Sequence, residues 1–349
     1  MRKSAGLPDR LAFGTLLALL VLTPWPLGSR LPWASMLAAG VTIAMGSLWL
    51  AAALLTGRRL IWHSLYLPII AFLAWTGLQW AAGWTIYAHA TAYEWVRYFS
   101  YAAAFALTVQ VARQPERADL LRTVIMMMAI AVGLFGLLQF LTWNGHLYWI
   151  YDPPYLGTRF GPFNNRNYFA GYMVASLAPA LASIFSGEKR RDRVLIGYLT
   201  WVAVLSLLIC LSRGGSIALA VVLGMVIAYR LDDLRSIRNP LRREGSGNHR
   251  NRGRALLAVA VVVSIIAGLA WLQQTDRVLA RLETLFQFEA ETPLQGRARI
   301  WHDALPMVAD RPLAGFGLNT FGWAFPQYRH EPTSNTAMHA HNEYLEMLV

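Results

Sequence analysis

Charge and cysteine are both scarce in this chain. Only 14% of its 349 residues are charged, while 56% are hydrophobic. A soluble domain carries roughly a quarter charged residues, so this composition belongs to a membrane protein. The single cysteine, Cys210, excludes an intramolecular disulfide, and its place in an apolar run reads as packing. Recognisable cofactor signatures are missing too: there is no GxGxxG, Walker loop, CxxC or HExxH. The sequence therefore offers no nucleotide site, no cofactor and no clear metal site.

What it does offer is long apolar runs. They cover Leu11–Gly28, Trp33–Thr56, Ser64–Gly83, Arg97–Ala112, Leu121–Trp143, Tyr168–Ser186, Val194–Tyr229 and Ala255–Leu272. Each is near or above the roughly 17–25 residues that cross a bilayer as a helix. Val194–Tyr229 is far longer than one crossing needs, and it is split at "SRGG", Ser212–Gly215, into two helices. This gives nine complete spans. The start "MRK" followed by an apolar run also suits a cleaved signal peptide. Its exit, "PWPLGSRLPWA", has no small-x-small site, so the first span is read as retained. The closing "EYLEMLV" is too short to cross. It reads as the start of a tenth span of a longer protein.

The net charge of +12 has a location. Met1–Arg10, Gly57–Arg59, Arg113–Arg122, Gly187–Arg193 and Arg230–Arg254 lie between alternate pairs of spans. Together they carry 20 basic and 8 acidic residues, which is the whole excess. By the positive-inside rule these segments and the N-terminus are cytoplasmic. A basic chain can also bind nucleic acid, but topology already explains the charge, so no nucleic-acid partner is expected.

The expected fold is thus all-α: a polytopic transmembrane helical bundle forming one integral-membrane domain over residues 1–349. The outer loops are Ser29–Pro32, Trp84–Val96, Asn144–Asn167, the SRGG turn and one long, partly helical loop, Gln273–Ala340. Within the long loop, Asp276–Phe286 has the spacing of a short amphipathic surface helix. Gly296–Asp310 is a second helix with Ile300, Trp301, Ala304, Leu305 and Val308 on one side, and Pro306 can kink it. A turn with Pro312, Gly315 and Gly317 follows. Leu241–Arg254 is a basic, polar cytoplasmic loop beside anionic headgroups.

Arginine is the chemistry-bearing residue of the outer side. Arg159 and Arg166 flank "FGPFNN" at the mouth of the sixth span, Arg213 interrupts an apolar run, and Arg297 and Arg299 lie in the long loop. Two readings stand: arginines at span ends snorkel to headgroups, or their forks hold phosphate oxygens. Arg213, beside two glycines at membrane depth, favours the second. Asn164, Asn165 and Asn167 can cap the sixth span or bind a sugar. His339 and His341, two residues apart before Asn342, suit an extended segment, as a metal pair, solvated loop residues or a site. His302, next to Trp301, reads as surface.

Three stretches resemble the O-antigen ligase/polymerase family of polytopic bacterial membrane proteins, which includes pilin and protein O-oligosaccharide ligases. They are "GPFNNRNYFAGY", "LSRGGSIAL", and "GRARIWHDALPMVADRPLAGFGLNTF" leading to "HAHNEYLEML". The resemblance runs from about Tyr151 to the end. It implies a metal-independent membrane glycosyltransferase in the bacterial inner membrane with its active site facing the periplasm. The implied reaction moves a glycan from a polyprenyl-diphosphate carrier to an acceptor hydroxyl on lipid A core, a polysaccharide chain or a protein. Arg213 and Arg297 match the family's arginines, and His341 matches its His-Asn histidine. A diphosphate leaving group needs electrostatic stabilisation, which arginines supply. An acceptor hydroxyl needs a base that titrates near neutral pH, which histidine is. Arg159, Arg166, Asn165, Asn167, Arg299, His339 and Asn342 are the candidate substrate-binding residues around them. A polymerase of the same family and a small-anion transporter are the alternatives. Against a transporter, no Asp or Glu falls within the nine expected spans, with Glu94 at an edge.

Overall fold

The computed structural model describes residues 6–152, 159–185, 190–212, 214–225, 293–330, 337–340 and 342–349. The expected span Ala255–Leu272, the basic loop Leu241–Arg254 and the helix Asp276–Phe286 lie outside the described residues. The fold is helical. The helices are α1 (Leu7–Leu22), α2 (Pro32–Leu55), α3 (Tyr66–Ala81), α4 (Ala88–Val111), α5 (Pro115–Leu141), α6 (Arg166–Phe185), α7 (Arg190–Ile209), α8 (Gly214–Met225), α9 (Pro293–Asp310), α10 (Phe321–Ala324) and α11 (Glu343–Leu348). Among the described residues there is no strand, and two isolated bridges join Leu147 to Tyr151 and Phe160 to Phe163.

Several boundaries differ from expectation for local reasons. α1 ends at Leu22 rather than Gly28, because Pro24 and Pro26 cannot continue it. α5 starts at Pro115 rather than Leu121, with proline in the first helical turn, where its missing N–H costs nothing. α4 starts at Ala88 rather than Arg97, so most of the expected outer loop Trp84–Val96 is helix. The extra turns are polar, which hides them from hydropathy. They contain no Gly or Pro, and a Glu94–Arg97 ion pair of 2.7 Å spaced i,i+3 supports them. Glu94 therefore lies inside a helix rather than at its edge. The described residues of the break between α7 and α8 are 210–212.

α2 and α5 are long and apolar enough to cross a membrane; α3, α8 and Thr200–Ile209 are shorter apolar stretches. Burial follows the pattern of a protein solvated by lipid. Gln79, Gln110, Gln139, Thr76 and Ser206 are buried, while Leu48, Leu54, Leu67, Leu134 and Leu138 are exposed. In water such apolar surface would be a liability; in lipid, helices associate through small residues and polar contacts instead.

The chain divides into two compact units. One comprises Leu17–Ala34 and Gln114–Phe286. Its described helices α5, α6 and α7 pack together. Their core includes Val132, Phe169, Met173, Leu177, Ala203 and Leu207, all nearly inaccessible. Small residues permit the approach: Gly133 faces Ser206 and Ala203, and Gly136 faces Phe160 and Phe169. Connecting segments meet within this unit. The Tyr148 hydroxyl donates to the Trp25 carbonyl, and burial pushes that phenol up to about 12, so it stays a donor at neutral pH. The Arg30 guanidinium sits 4.9 Å from the centre of the Tyr168 ring.

The other unit comprises Met1–Leu16, Ser35–Arg113 and Gln287–Val349. α3 and α4 pair along their length. In this unit Asp9 is buried and bonded to Arg58 at 2.5 Å and to the Trp49 indole at 2.8 Å. The turn between α3 and α4 receives the segment after α9. Ile86 N–H donates to the Phe316 carbonyl (3.0 Å), Arg311 to the Trp84 carbonyl (3.1 Å), and Thr91 Oγ1 to the Leu318 carbonyl (3.1 Å). Gly317 makes this docking possible: its φ is +106°, and a Cβ there would lie 2.2 Å from Thr85 Oγ1.

Close helix approach predicts a contrast between two glycines of α8. A Cβ on Gly215 would lie 2.4 Å from that of Ala170, whereas Gly224 has nothing within 4 Å. Gly215→Ala should lower stability by about 1–3 kcal/mol through overpacking, and Gly224→Ala should not. Thermal unfolding of the two purified variants in detergent measures the difference.

Candidate functional site

The expected site residues fall into two groups, one in each unit. Arg213 and His341 lie outside the described residues; their immediate neighbours do not.

In the unit of α5–α8, the chain folds so that two of the sequence motifs touch. Asn165 precedes α6, where its carbonyl accepts from the N–H groups of Tyr168 and Phe169 and its Oδ1 accepts from Asn167 N–H at 2.8 Å. That is an N-cap, and short polar side chains favour it. Asn167, in the first turn of α6, accepts from Ser212 Oγ at 2.9 Å. Ser212 Oγ in turn accepts from Gly215 N–H at 3.2 Å, capping α8. Hence Asn167 holds the residue immediately before Arg213. Arg166 and Arg159 are half-buried near this mouth. Asn164 Oδ1 is buried without a hydrogen-bond partner among the described residues. Such an acceptor ordinarily costs stability unless a water or ligand fills it. Arg30, in the turn after α1, stands over Tyr168 at the same mouth. Sequence reading did not single it out, because an arginine in a four-residue loop carries no motif.

In the other unit, α9 packs against the segment 337–349. Helical spacing puts residues 297, 300, 301, 304, 307 and 308 on one side of α9. Ala304 and Met307 are fully buried there, with Ile300, Trp301 and Val308 packed around them. Leu305 was expected on that side and is instead 59% exposed. It lies about 100° from the stripe centre, and Met307 takes its place. Pro306 lies within the helix. Arg297 shares the packed side and is half-buried, while Arg299 faces away and is exposed.

One bond ties the histidine segment to α9, and four more order the segment itself. The Trp301 indole N–H donates to the Ala340 carbonyl at 2.8 Å. Glu346, in α11, accepts from His339 Nδ1–H at 2.7 Å through one oxygen and from Ala340 N–H at 3.1 Å through the other. Asn342 Oδ1 caps α11, accepting from Tyr344 and Leu345 N–H. The Asn342 carbonyl oxygen is thus committed to the backbone rather than to an imidazole. Glu346 was missed in the sequence because it sits in the run "EYLEMLV" that reads as a membrane span. Its spacing of seven from His339 gives no local signal. By holding Nδ1–H, it sets the neutral His339 tautomer with the proton on Nδ1.

Residues 198–349 match the O-antigen ligase family. Over those residues the chain is similar to that family. Its members are glycosyltransferase-like ligases and polymerases. No curated protein matches the chain, and no solved structure does. The O-antigen ligase match takes in the SRGG turn, the Gly-Arg helix and the His-Asn segment. It begins after "GPFNNRNYFAGY", so that stretch joins the site through its bond to Ser212 rather than through the match.

If the Glu346 carboxylate is the anchor, Glu346→Ala leaves two donors unsatisfied and should cost about 1–3 kcal/mol. Trp301→Phe keeps the ring, loses one bond and should cost about 0.5–1.5 kcal/mol. Denaturant unfolding of the full chain in detergent gives the order; a larger loss in Trp301→Phe would contradict it.

Proposed function

We propose that this protein is a multi-pass inner-membrane glycosyltransferase of the O-antigen ligase type, with its N-terminus in the cytoplasm and its site at the periplasmic face. It moves a glycan from a polyprenyl-diphosphate carrier to an acceptor hydroxyl of lipid A core, a polysaccharide or a protein. The observation that carries this reading is the fixed relation of the Gly-Arg helix to the His-x-His-Asn segment through Trp301, Ala340 and Glu346, inside the O-antigen ligase match. The sidedness draws support from contacts within each unit. Trp25, near the outer end of the first expected span, meets Tyr148 of the expected outer loop Asn144–Asn167, expected outer segments meet at Trp84–Arg311, and segments assigned inside by charge meet at Asp9–Arg58.

The reaction is a substitution at the anomeric carbon. The acceptor oxygen forms the new glycosidic bond as the bond to the diphosphate breaks, and the lipid diphosphate leaves with that electron pair. His341 takes the hydroxyl proton. Arg213 and Arg297 bind the diphosphate and stabilise the charge it gains, which grows in the transition state and so lowers the barrier. Arg166 and Arg159 extend the cationic, anion-binding surface, with Asn165 and Asn167 setting the frame of the α6 mouth. Arg299, exposed on the far side of α9, meets a more distant part of the glycan. His339, held by Glu346, positions the segment that carries His341. No metal takes part in the transfer.

A positioned base contributes about 10²–10⁴ in rate. His341→Ala should therefore lower transfer from a purified polyprenyl-diphosphate glycan by that factor in the presence of EDTA, and His339→Ala by less. Arg213→Lys and Arg297→Lys keep charge but lose the fork, and both should also impair transfer. Near wild-type turnover by His341→Ala would remove it from the mechanism.

A further inference from the structure

His302, Asp303 and His330 converge off the packed stripe of α9, one turn along from Arg299. His302 and Asp303 lie in the middle of α9, and His330 follows the 3-10 turn Phe325–Gln327. The Asp303 carboxylate accepts from His330 Nδ1–H at 2.7 Å and from His330 N–H at 3.3 Å. His302 Nδ1 lies 3.4 Å from the same Oδ1. The two imidazole centres are 5.8 Å apart, and one ligand atom from each of the three side chains lies within 4.8 Å of the others.

We propose that this trio binds a divalent transition ion of the zinc class, independently of the transferase reading. Two imidazoles and one carboxylate are a borderline donor set that zinc and its neighbours accept and that magnesium and calcium do not prefer. A tetrahedral ion about 2.0–2.2 Å from each ligand spaces those ligands about 3.3–3.6 Å apart; the 3.4 Å separation already fits, and the 2.7 Å one has to open. Seating the ion replaces the His330 Nδ1 proton, which leaves or moves to Nε2, and the exposed ring moves outward to make room for it. Access and anchoring are both present. The two histidine side chains are 75% and 67% exposed, whereas that of Asp303 is 15% exposed. The His330 N–H fixes the second carboxylate oxygen, as outer groups commonly orient metal ligands. Three protein ligands leave at least one position for water. The ion would tie α9 to the chain 27 residues later, in the same unit that carries the histidine segment.

The test uses the untagged full chain in detergent, stripped with EDTA and dialysed. Titrating Zn(II) alone against a chromophoric chelator should reveal one tight equivalent per chain. His302→Ala and His330→Ala should each weaken it by at least about tenfold, and His63→Ala should leave it unchanged. Co(II) added to the unsubstituted chain should give visible bands of imidazole ligation, which keeps the test decisive even if a variant folds poorly. No saturable equivalent and no cobalt spectrum would overturn the site, and so would unchanged affinity in the His302→Ala/His330→Ala double variant.

Discussion

One carboxylate fixes the segment that carries the proposed base. Glu346 takes the His339 imidazole on one oxygen and the Ala340 amide on the other, while Trp301 takes the Ala340 carbonyl from the opposite side. Both backbone groups of Ala340, itself fully buried, are therefore bonded, and the residue next to His341 has little freedom. A base needs positioning before it needs basicity, because misplacement by about 1 Å can cost a hundredfold in rate. Glu346 rides on α11, whose N-terminus is capped by Asn342, so cap, helix and carboxylate form one closed local loop of bonds.

The same logic recurs in the other unit. Arg213 follows Ser212, whose hydroxyl is shared between Asn167 of α6 and the N–H of Gly215 in α8. The helix break that lets an arginine interrupt an apolar run is thus capped rather than loose. Of the two proposed phosphate-binding arginines, Arg297 lies on the packed side of α9, and Arg213 stands in sequence between the capping Ser212 and the first residue of α8. Rigid elements hold charged groups in place better than loops do, and preorganised charge stabilises a leaving diphosphate without reorganisation at the moment of reaction.

Much of this was legible in the sequence where periodicity or composition carries the signal. The apolar runs gave the helices, the glycine pair gave the α7–α8 break, and the stripe Ile300, Trp301, Ala304, Val308 gave the packed side of α9. Leu305 misled because hydrophobicity alone cannot tell a stripe residue from one about 100° away, and Met307 completes the stripe instead. The polar first turns of α4 escaped because hydropathy finds the membrane-soluble part of a helix, not its length. Glu346, Arg30 and the His302–Asp303–His330 cluster were invisible for one shared reason. Their partners are distant in sequence or set by a turn, as with the 27 residues from Asp303 to His330, and no local spacing encodes them.

The central claim is that a glycan leaves a lipid diphosphate and joins a hydroxyl at this site. Mass balance of the purified, unsubstituted chain tests it most directly. Polyprenyl-diphosphate glycan and acceptor would be incubated without nucleotide, and free polyprenyl diphosphate and glycosylated acceptor quantified together. One lipid diphosphate released for each glycan joined, with neither formed when the acceptor is left out, is the result expected. Donor that stays intact with acceptor present, or that crosses a sealed vesicle membrane unchanged, would contradict a transferase and favour a transporter.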